Sequence, residues 1–397
     1  MTPHYTYMII GGGMTAYAAV RGIREVDPTG SIALFSEESE MPYKRPPLSK
    51  KLWAGKPLAT VWNKMEELRV ETYLGRTVGT IDLSNKSVAD TVGNRYTFDK
   101  LLLATGGTPR RLPFGGEDII YYRTLEDYLR LRALTERGER FAVIGGGFIG
   151  SEVAAALAMN GKKVVMIIPE AGIGERLYPP DLVEFLNGFY REKGIELLTG
   201  ELASGLERRG DGLALTTKSG KVVVVDGVVA GIGIGPNVQL ARQTGLETGE
   251  TGGIIVDEML RAGNPDIFAA GDVAQFQDPL LGSKRRVEHE DNANTMGKAA
   301  GRNMAGANEE YQHSPFFYSD LFELGYEALG ELDPRLETVA DWKEQYREGV
   351  VYYLREGRVR GVLLWNVWGQ VDAARRLIAE PGPFRAEDLK GRLPESD

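Results

Sequence analysis

Phe141-Ala-Val-Ile-Gly-Gly-Gly-Phe-Ile-Gly-Ser-Glu152 is the stretch on which the fold turns. Phe141 to Ile144 is an apolar run of the kind that forms a buried parallel strand. It breaks at Gly145-Gly146-Gly147 and resumes as a helix at Phe148-Ile149-Gly150. Gly145, Gly147 and Gly150 fill the three glycine places of a dinucleotide-binding loop. The first permits a tight turn, the second lets backbone approach a pyrophosphate, and the third lets helix close on strand. The helix that follows turns its positive end toward phosphate. The next strand, Val164 to Ile168, leads to Glu170, about 20 residues past Gly150, where a ribose-binding acid belongs.

The same grammar occurs at the start of the chain. Tyr5 to Ile10 reads as a strand, and Gly11-Gly12-Gly13-Met-Thr-Ala16 as a second loop with Ala16 in the third glycine place. A helix runs to about Val26 and stops at Asp27-Pro28. The following strand, Ser31 to Ser36, ends at Glu37, a candidate ribose acid about 24 residues past Gly13. One such turn is sometimes merely structural; two complete copies point to two bound dinucleotides.

A length of 397 residues suggests two or three domains, and 42% hydrophobic with 26% charged residues is an ordinary globular profile. No window approaches a membrane span, and no basic-then-apolar export signal opens the chain, so a cytoplasmic location is expected. The net charge of -9 argues against nucleic-acid binding. Cys 0 and His 3 exclude disulfides, thiolate-held metals and clusters, cysteine nucleophiles and a histidine-rich metal centre. Redox chemistry then needs a bound organic cofactor. Two dinucleotide loops without cysteine suggest FAD plus a nicotinamide nucleotide.

Prolines 42, 46 and 47 hold Met41 to Lys51 extended, which offers Arg45 and Lys50 to an anionic cofactor. A basic proline loop is otherwise an ordinary solvated connector; its place after a ribose acid is what points to the cofactor. Glu71 to Val78 and Lys86 to Thr97 read as short β segments, and Thr97 to Gly106 as a buried strand ending in a glycine turn. Thr124 to Glu136 is helical, the helix from Gly150 to Asn160 is alanine-rich, and Asp181 to Lys193 is amphipathic. Glu196 to Val225 reads as hairpins, and Gly227 to Asn237 as a strand and glycine turn closing an inserted unit. Gly253 to Asp257 returns to the first unit. Pro265 to Asp272 ends on an acid suited to polyol hydroxyls, a reading the whole strand favours over that of a helix-capping aspartate. His289 precedes a helix, Asn292 to Met304, and a lone histidine there is more often structural. After Ser314, Gly325 to Leu332, Gly349 to Arg355 and Val359 to Trp365 read as antiparallel strands, with Trp342 to Gly349 a short link. Val371 to Glu380 is a terminal helix stopped by Pro381-Gly382-Pro383. Trp365 and Trp368 read as core.

This order resembles the pyridine-nucleotide flavoprotein reductases, and within them apoptosis-inducing factor and its bacterial relatives. The resemblance is carried by Arg45-Pro-Pro-Leu-Ser-Lys50, Ala104 to Arg110, Val143 to Glu152, Arg285-Arg-Val-Glu-His289, Gly325 to Gly330 and Gly361 to Asn366. The chain also resembles the oxygenase-coupled ferredoxin reductases. The implied architecture is α/β, with two Rossmann-like nucleotide-binding domains, the NAD domain inserted in the FAD domain, plus a C-terminal α+β domain. The expected bounds are 1–122 and 241–313 for FAD, 123–240 for NAD, and 314–397 for the C-terminal domain.

The resemblance implies FAD contacts at Gly11, Gly13, Glu37, Arg45, Lys50, Val78, Thr105, Gly106, Asp272, Glu288 and His289. It implies NAD contacts at Gly147, Phe148, Ile149, Glu152, Glu170 and Gly233. Lys50 and Glu152 are similar to a family ion pair beside the flavin, Phe148 to a gate displaced by nicotinamide, and Tyr318 stands where the family often has tryptophan. The leader, membrane anchor and long C-terminal insertion of the animal proteins find no counterpart, so death-related roles are not expected. The implied function is an FAD-dependent NADH oxidoreductase: hydride passes from NADH to flavin N5 with a flavin–NAD charge-transfer complex. Glu170 favours NADH over NADPH by charge. The alternatives are a redox-sensing NADH-binding flavoprotein and a ferredoxin or rubredoxin reductase. Oxygen, a quinone or an iron–sulfur protein are the open acceptors. No nucleic acid or membrane partner is expected, and a homodimer is left open.

Overall fold

The structure is a computed structural model that describes residues 2–393; Met1 and residues 394–397, the ends of the expected first and last domains, lie outside the described residues. The chain divides into two units, each assembled from three stretches: residues up to 45, 59–108 and 235–315 in the first, and 46–58, 109–234 and 316 onward in the second.

In the first unit, strand His4–Ile10 is buried on both faces over its last four residues, as its apolar run demands. It pairs in parallel with Ile32–Phe35 on one side and Arg95–Leu103 on the other. Glu71–Tyr73 extends the sheet beyond Ile32–Phe35. The seven-stranded sheet branches along the far edge of strand Arg95–Leu103. Its first half pairs antiparallel with Ser87–Asp90, which pairs with Val78–Asp82. Its second half pairs in parallel with Ile267–Ala269. The expected helix beginning at Asn292 starts at Glu290 and runs to Met304. It lies against the loop helix Met14–Val26 with backbone in contact. A Cβ on Gly297 would stand 2.4 Å from the Thr15 carbonyl oxygen, and one on Gly301 2.0 Å from that of Ala19.

The second unit holds a parallel sheet in the order Glu196–Thr199, Lys163–Ile168, Arg140–Ile144, Gly227–Ala230, Ile119–Tyr121. Beside it runs an antiparallel meander, Ala203–Arg209, Gly212–Thr217 and Val222–Val225. A C-terminal antiparallel sheet runs Phe316–Leu321, Leu324–Gly330, Arg358–Trp365, Glu348–Arg355, Glu337–Glu344. Helix Val371–Ala379 covers it with Ala374, Leu377 and Ile378.

Several expectations are corrected. The boundary at 122 falls too late, because Ile119–Tyr121 is an edge strand of the second sheet. Residues 46–58 also leave the first unit, where they were expected. Glu196–Thr199 is a parallel strand rather than part of a hairpin; four residues carry too little periodicity to separate the two. Trp342 is inside a strand, and its link to the next is a tight turn. Trp365 is fully buried, but Trp368 is 41% exposed, since it follows the strand and lies over Gly325.

The contact between the first unit's two helices gives a test. Gly301→Val forces a β-branched side chain onto the Ala19 carbonyl and is expected to destabilise the fold by about 1–3 kcal/mol, the usual cost of overpacking. Denaturant unfolding measures it, and Gly306→Val, at a site with no neighbour within 4 Å but with φ +95, serves as the backbone-strain comparison.

Candidate functional site

The first glycine loop is held by its neighbours. The Gly11 amide donates to the Phe35 carbonyl at 2.8 Å. Gly11 has φ +128, and a Cβ there would meet the Ala104 carbonyl oxygen at 2.0 Å, so both conformation and space require glycine. A Cβ on Gly13 would meet nothing within 4 Å, and Gly13 begins the loop helix with no side-chain cap and no acid in the first turn. The first-turn amides are thus left for an anion. Ala16 is fully buried in the third glycine place.

Around this loop the acids divide. Glu38 pairs with Arg45 and accepts from the Tyr43 hydroxyl at 2.6 Å, whereas Glu37 is exposed with no partner among the described residues. Glu37 is therefore the acid available to a ribose. Burial would lower the Arg45 pKa, but the charges of Tyr43, Glu38 and Asp272 outweigh it and raise it. Arg45 and Asp272 therefore share one neighbourhood. The Arg286 guanidinium donates to the Asp272 carbonyl at 3.0 Å and pairs with Glu288 at 2.5 Å. His289 is the residue before helix Glu290–Met304, its carbonyl accepting from Ala293. Val78 is buried at the start of its strand. Thr105 and Gly106 are fastened by Asn237, which the sequence reading left without a role. Thr105 Oγ1 donates to the Asn237 carbonyl at 2.7 Å, and Asn237 Nδ2 returns a bond to the Thr105 carbonyl at 2.9 Å.

In the second unit, Gly145 has φ +104 with its Cβ position 2.4 Å from the Gly231 carbonyl oxygen. A Cβ on Gly150 would stand 2.1 Å from the Gly145 carbonyl oxygen, the close helix-to-strand approach expected of the third glycine. Gly147 is open and uncapped at the head of helix Phe148–Met159, again with no acid in the first turn. Ile149 is 36% exposed beside it. Glu170 is half-buried at the end of Lys163–Ile168 and pairs with Arg176 at 2.6 Å. Arg176 is an exposed partner that the sequence reading missed. Gly233 is exposed, its carbonyl accepting from the Arg110 amide.

Lys50 and Glu152 meet at 2.6 Å, with side-chain exposures of 9% and 3%. The short helical turn Pro46–Ser49 supplies Ser49, whose hydroxyl donates to Glu152 Oε2 at 2.5 Å. Strand Phe316–Leu321 supplies Ser319, whose hydroxyl donates to Oε1 at 2.6 Å. Both serines are buried, and the sequence reading gave neither a role. The Lys50 ammonium also stands 5.3 Å from the Tyr318 ring centroid, and Phe148 packs edge-on against Phe317 at 5.3 Å. Burial raises the pKa of Tyr178, Tyr190 and Tyr326, with the Glu152 charge adding to it, so these phenols stay neutral.

A buried ion pair is costly to break and less costly to replace. Glu152→Gln leaves Lys50 without its counter-charge and is expected to cost about 3–5 kcal/mol. Lys50→Met with Glu152→Leu should recover much of this. Equilibrium unfolding of the two singles and the double forms the cycle; strictly additive losses would mean the pair is uncoupled.

Comparison with known proteins gives the family. Residues 5–297 match the pyridine nucleotide-disulphide oxidoreductase family, and residues 300–345 and 340–380 match the C-terminal region of apoptosis-inducing factor, mitochondrion-associated. Apoptosis-inducing factor 1, mitochondrial, of Dictyostelium discoideum is 36% identical over 416 residues, covering 94% of this chain and 78% of the relative. The 3-phenylpropionate/cinnamic acid dioxygenase ferredoxin–NAD(+) reductase component of Photorhabdus laumondii is 30% identical over 95% of this chain and 96% of its own. The covalent putidaredoxin reductase–putidaredoxin complex superposes with a TM-score of 0.89 at 28% identity, over 96% of this chain and 94% of the other. No helix among the described residues is long and apolar enough to cross a membrane. The chain belongs to the pyridine nucleotide-disulphide oxidoreductase family, is apoptosis-inducing factor-like, and is an oxidoreductase that uses FAD and NAD(H).

Proposed function

We propose that this chain is an NADH-dependent FAD oxidoreductase that delivers electrons to an iron–sulfur protein. The observation that carries the reading is a complete dinucleotide loop in each unit of a chain with no cysteine. Electrons cannot pass to a disulfide of this chain, so they leave to an outside acceptor. The ferredoxin–NAD(+) reductase component and the putidaredoxin reductase among its relatives favour an iron–sulfur protein.

When bound, the two cofactors supply the chemistry, a hydride passing from nicotinamide C4 to flavin N5. The chain's own residues bind and orient. Gly11, Gly13 and the first-turn amides would hold the FAD pyrophosphate, Glu37 its ribose, and Arg45 and Asp272 its phosphate and polyol ends. Gly147, Phe148 and Ile149 would do the same for the nicotinamide nucleotide, with Glu170 on the ribose. Phe148 would yield its place to nicotinamide, and Lys50 with Glu152 would present a fixed pair of charges to the reacting rings. No side-chain acid or base is required for the hydride step.

Slow redox sensing through a long-lived charge-transfer complex is the second reading, favoured by the match to the apoptosis-inducing factor C-terminal region. Anaerobic stopped-flow mixing separates the two. NADH is expected to bleach the flavin at least about tenfold faster than NADPH, a difference of about 1.4 kcal/mol. Reoxidation should be faster with ferredoxin than with air or a quinone. Persistent long-wavelength absorbance with slow reoxidation by all three would favour sensing, and equal rates with NADPH would contradict the role of Glu170. Glu170→Ala should narrow the preference, since it removes a negative charge and frees Arg176 to meet a 2′-phosphate.

A further inference from the structure

Three consecutive residues of one C-terminal strand touch the three residues the sequence singled out for chemistry. Phe317 packs on Phe148, Tyr318 lies beside the Lys50 ammonium, and Ser319 donates to Glu152. We infer that Ser319, together with Ser49, is a positioning residue that keeps the Glu152 carboxylate aimed at Lys50. This makes the C-terminal sheet a working part of the nicotinamide site.

The physical case rests on burial and donor count. Glu152 is 3% exposed, so water cannot solvate its charge. Lys50 and Ser319 serve Oε1, while Ser49 serves Oε2. Without Ser49, Oε2 loses this donor, and without Ser319, Oε1 loses its hydroxyl donor and keeps only the mobile ammonium of Lys50. Ser319 is itself 1% exposed and Ser49 6%, so neither hydroxyl is there for solubility. A hydrogen bond to an ionised acceptor is stronger than one between neutral groups, so each serine holds one carboxylate oxygen in place.

The inference rests on the reading that Lys50 and Glu152 serve the hydride step, and the test separates the two. Holoprotein labelled with carbon-13 glutamate, referenced to Glu152→Gln, reports the Glu152 carboxylate band by infrared difference spectroscopy. Anaerobic flavin reduction by NADH gives the limiting rate and the half-saturating NADH concentration separately. Ser319→Ala should shift the band, because the carboxylate loses a donor, and lower the limiting rate about tenfold with half-saturation little changed. Ser319→Thr, which keeps the hydroxyl, should restore both. If Ser319→Ala fails to fold, Ser49→Ala tests the same claim from another segment. A Ser319→Ala protein with an unchanged band and limiting rate overturns the proposal. If that variant's band shifts while its limiting rate holds, the positioning stands and the functional reading of the pair fails.

Discussion

A carboxylate placed out of reach of water has to be neutralised and surrounded by donors, and at Glu152 that requirement gathers three segments far apart in sequence. Lys50 and Ser49 come from a proline-fixed loop, Glu152 from the helix after the second glycine loop, and Ser319 from the C-terminal sheet. The pairing accounts for an irregularity of chain tracing: residues 46–58 leave the unit in which they begin and join the other. Their prolines fit this role, because a stiff crossing loses less entropy when its end is fastened.

The glycine corners rest on a different constraint, the absence of a Cβ where backbone meets backbone. Gly11 against Ala104 and Gly145 against Gly231 repeat one solution in two places. In both, the strand end, the turn and the uncapped helix head are set by local sequence. That is why both loops and their helices could be read from the residues alone.

What escaped the reading was set by distance. Ser49 and Ser319 are ordinary serines until folding carries them to Glu152, 103 and 167 residues away. Asn237 acquires its task only by meeting Thr105. Ile119–Tyr121 and Glu196–Thr199 are too short for a period to declare itself, so their sheet was invisible until their partners were known. Trp368 was read as core from its type, yet a wide ring beside Gly325 can rest on the surface with one face covered. The exposed partner of Glu170, Arg176, lies in sequence close enough to have been considered, but the long side chain could have turned to solvent equally well.

The order in which the chain leaves the ribosome bears on the first unit's two helices. Met14–Val26 is made early, and the helix that covers it, Glu290–Met304, about 260 residues later. At ~5–20 residues per second, the small-residue face of the early helix waits ~13 to 50 seconds for its cover. The parallel sheet of the second unit is complete once residue 230 has emerged. The sheet of the inserted stretch is therefore synthesised whole before the first unit's two helices can meet.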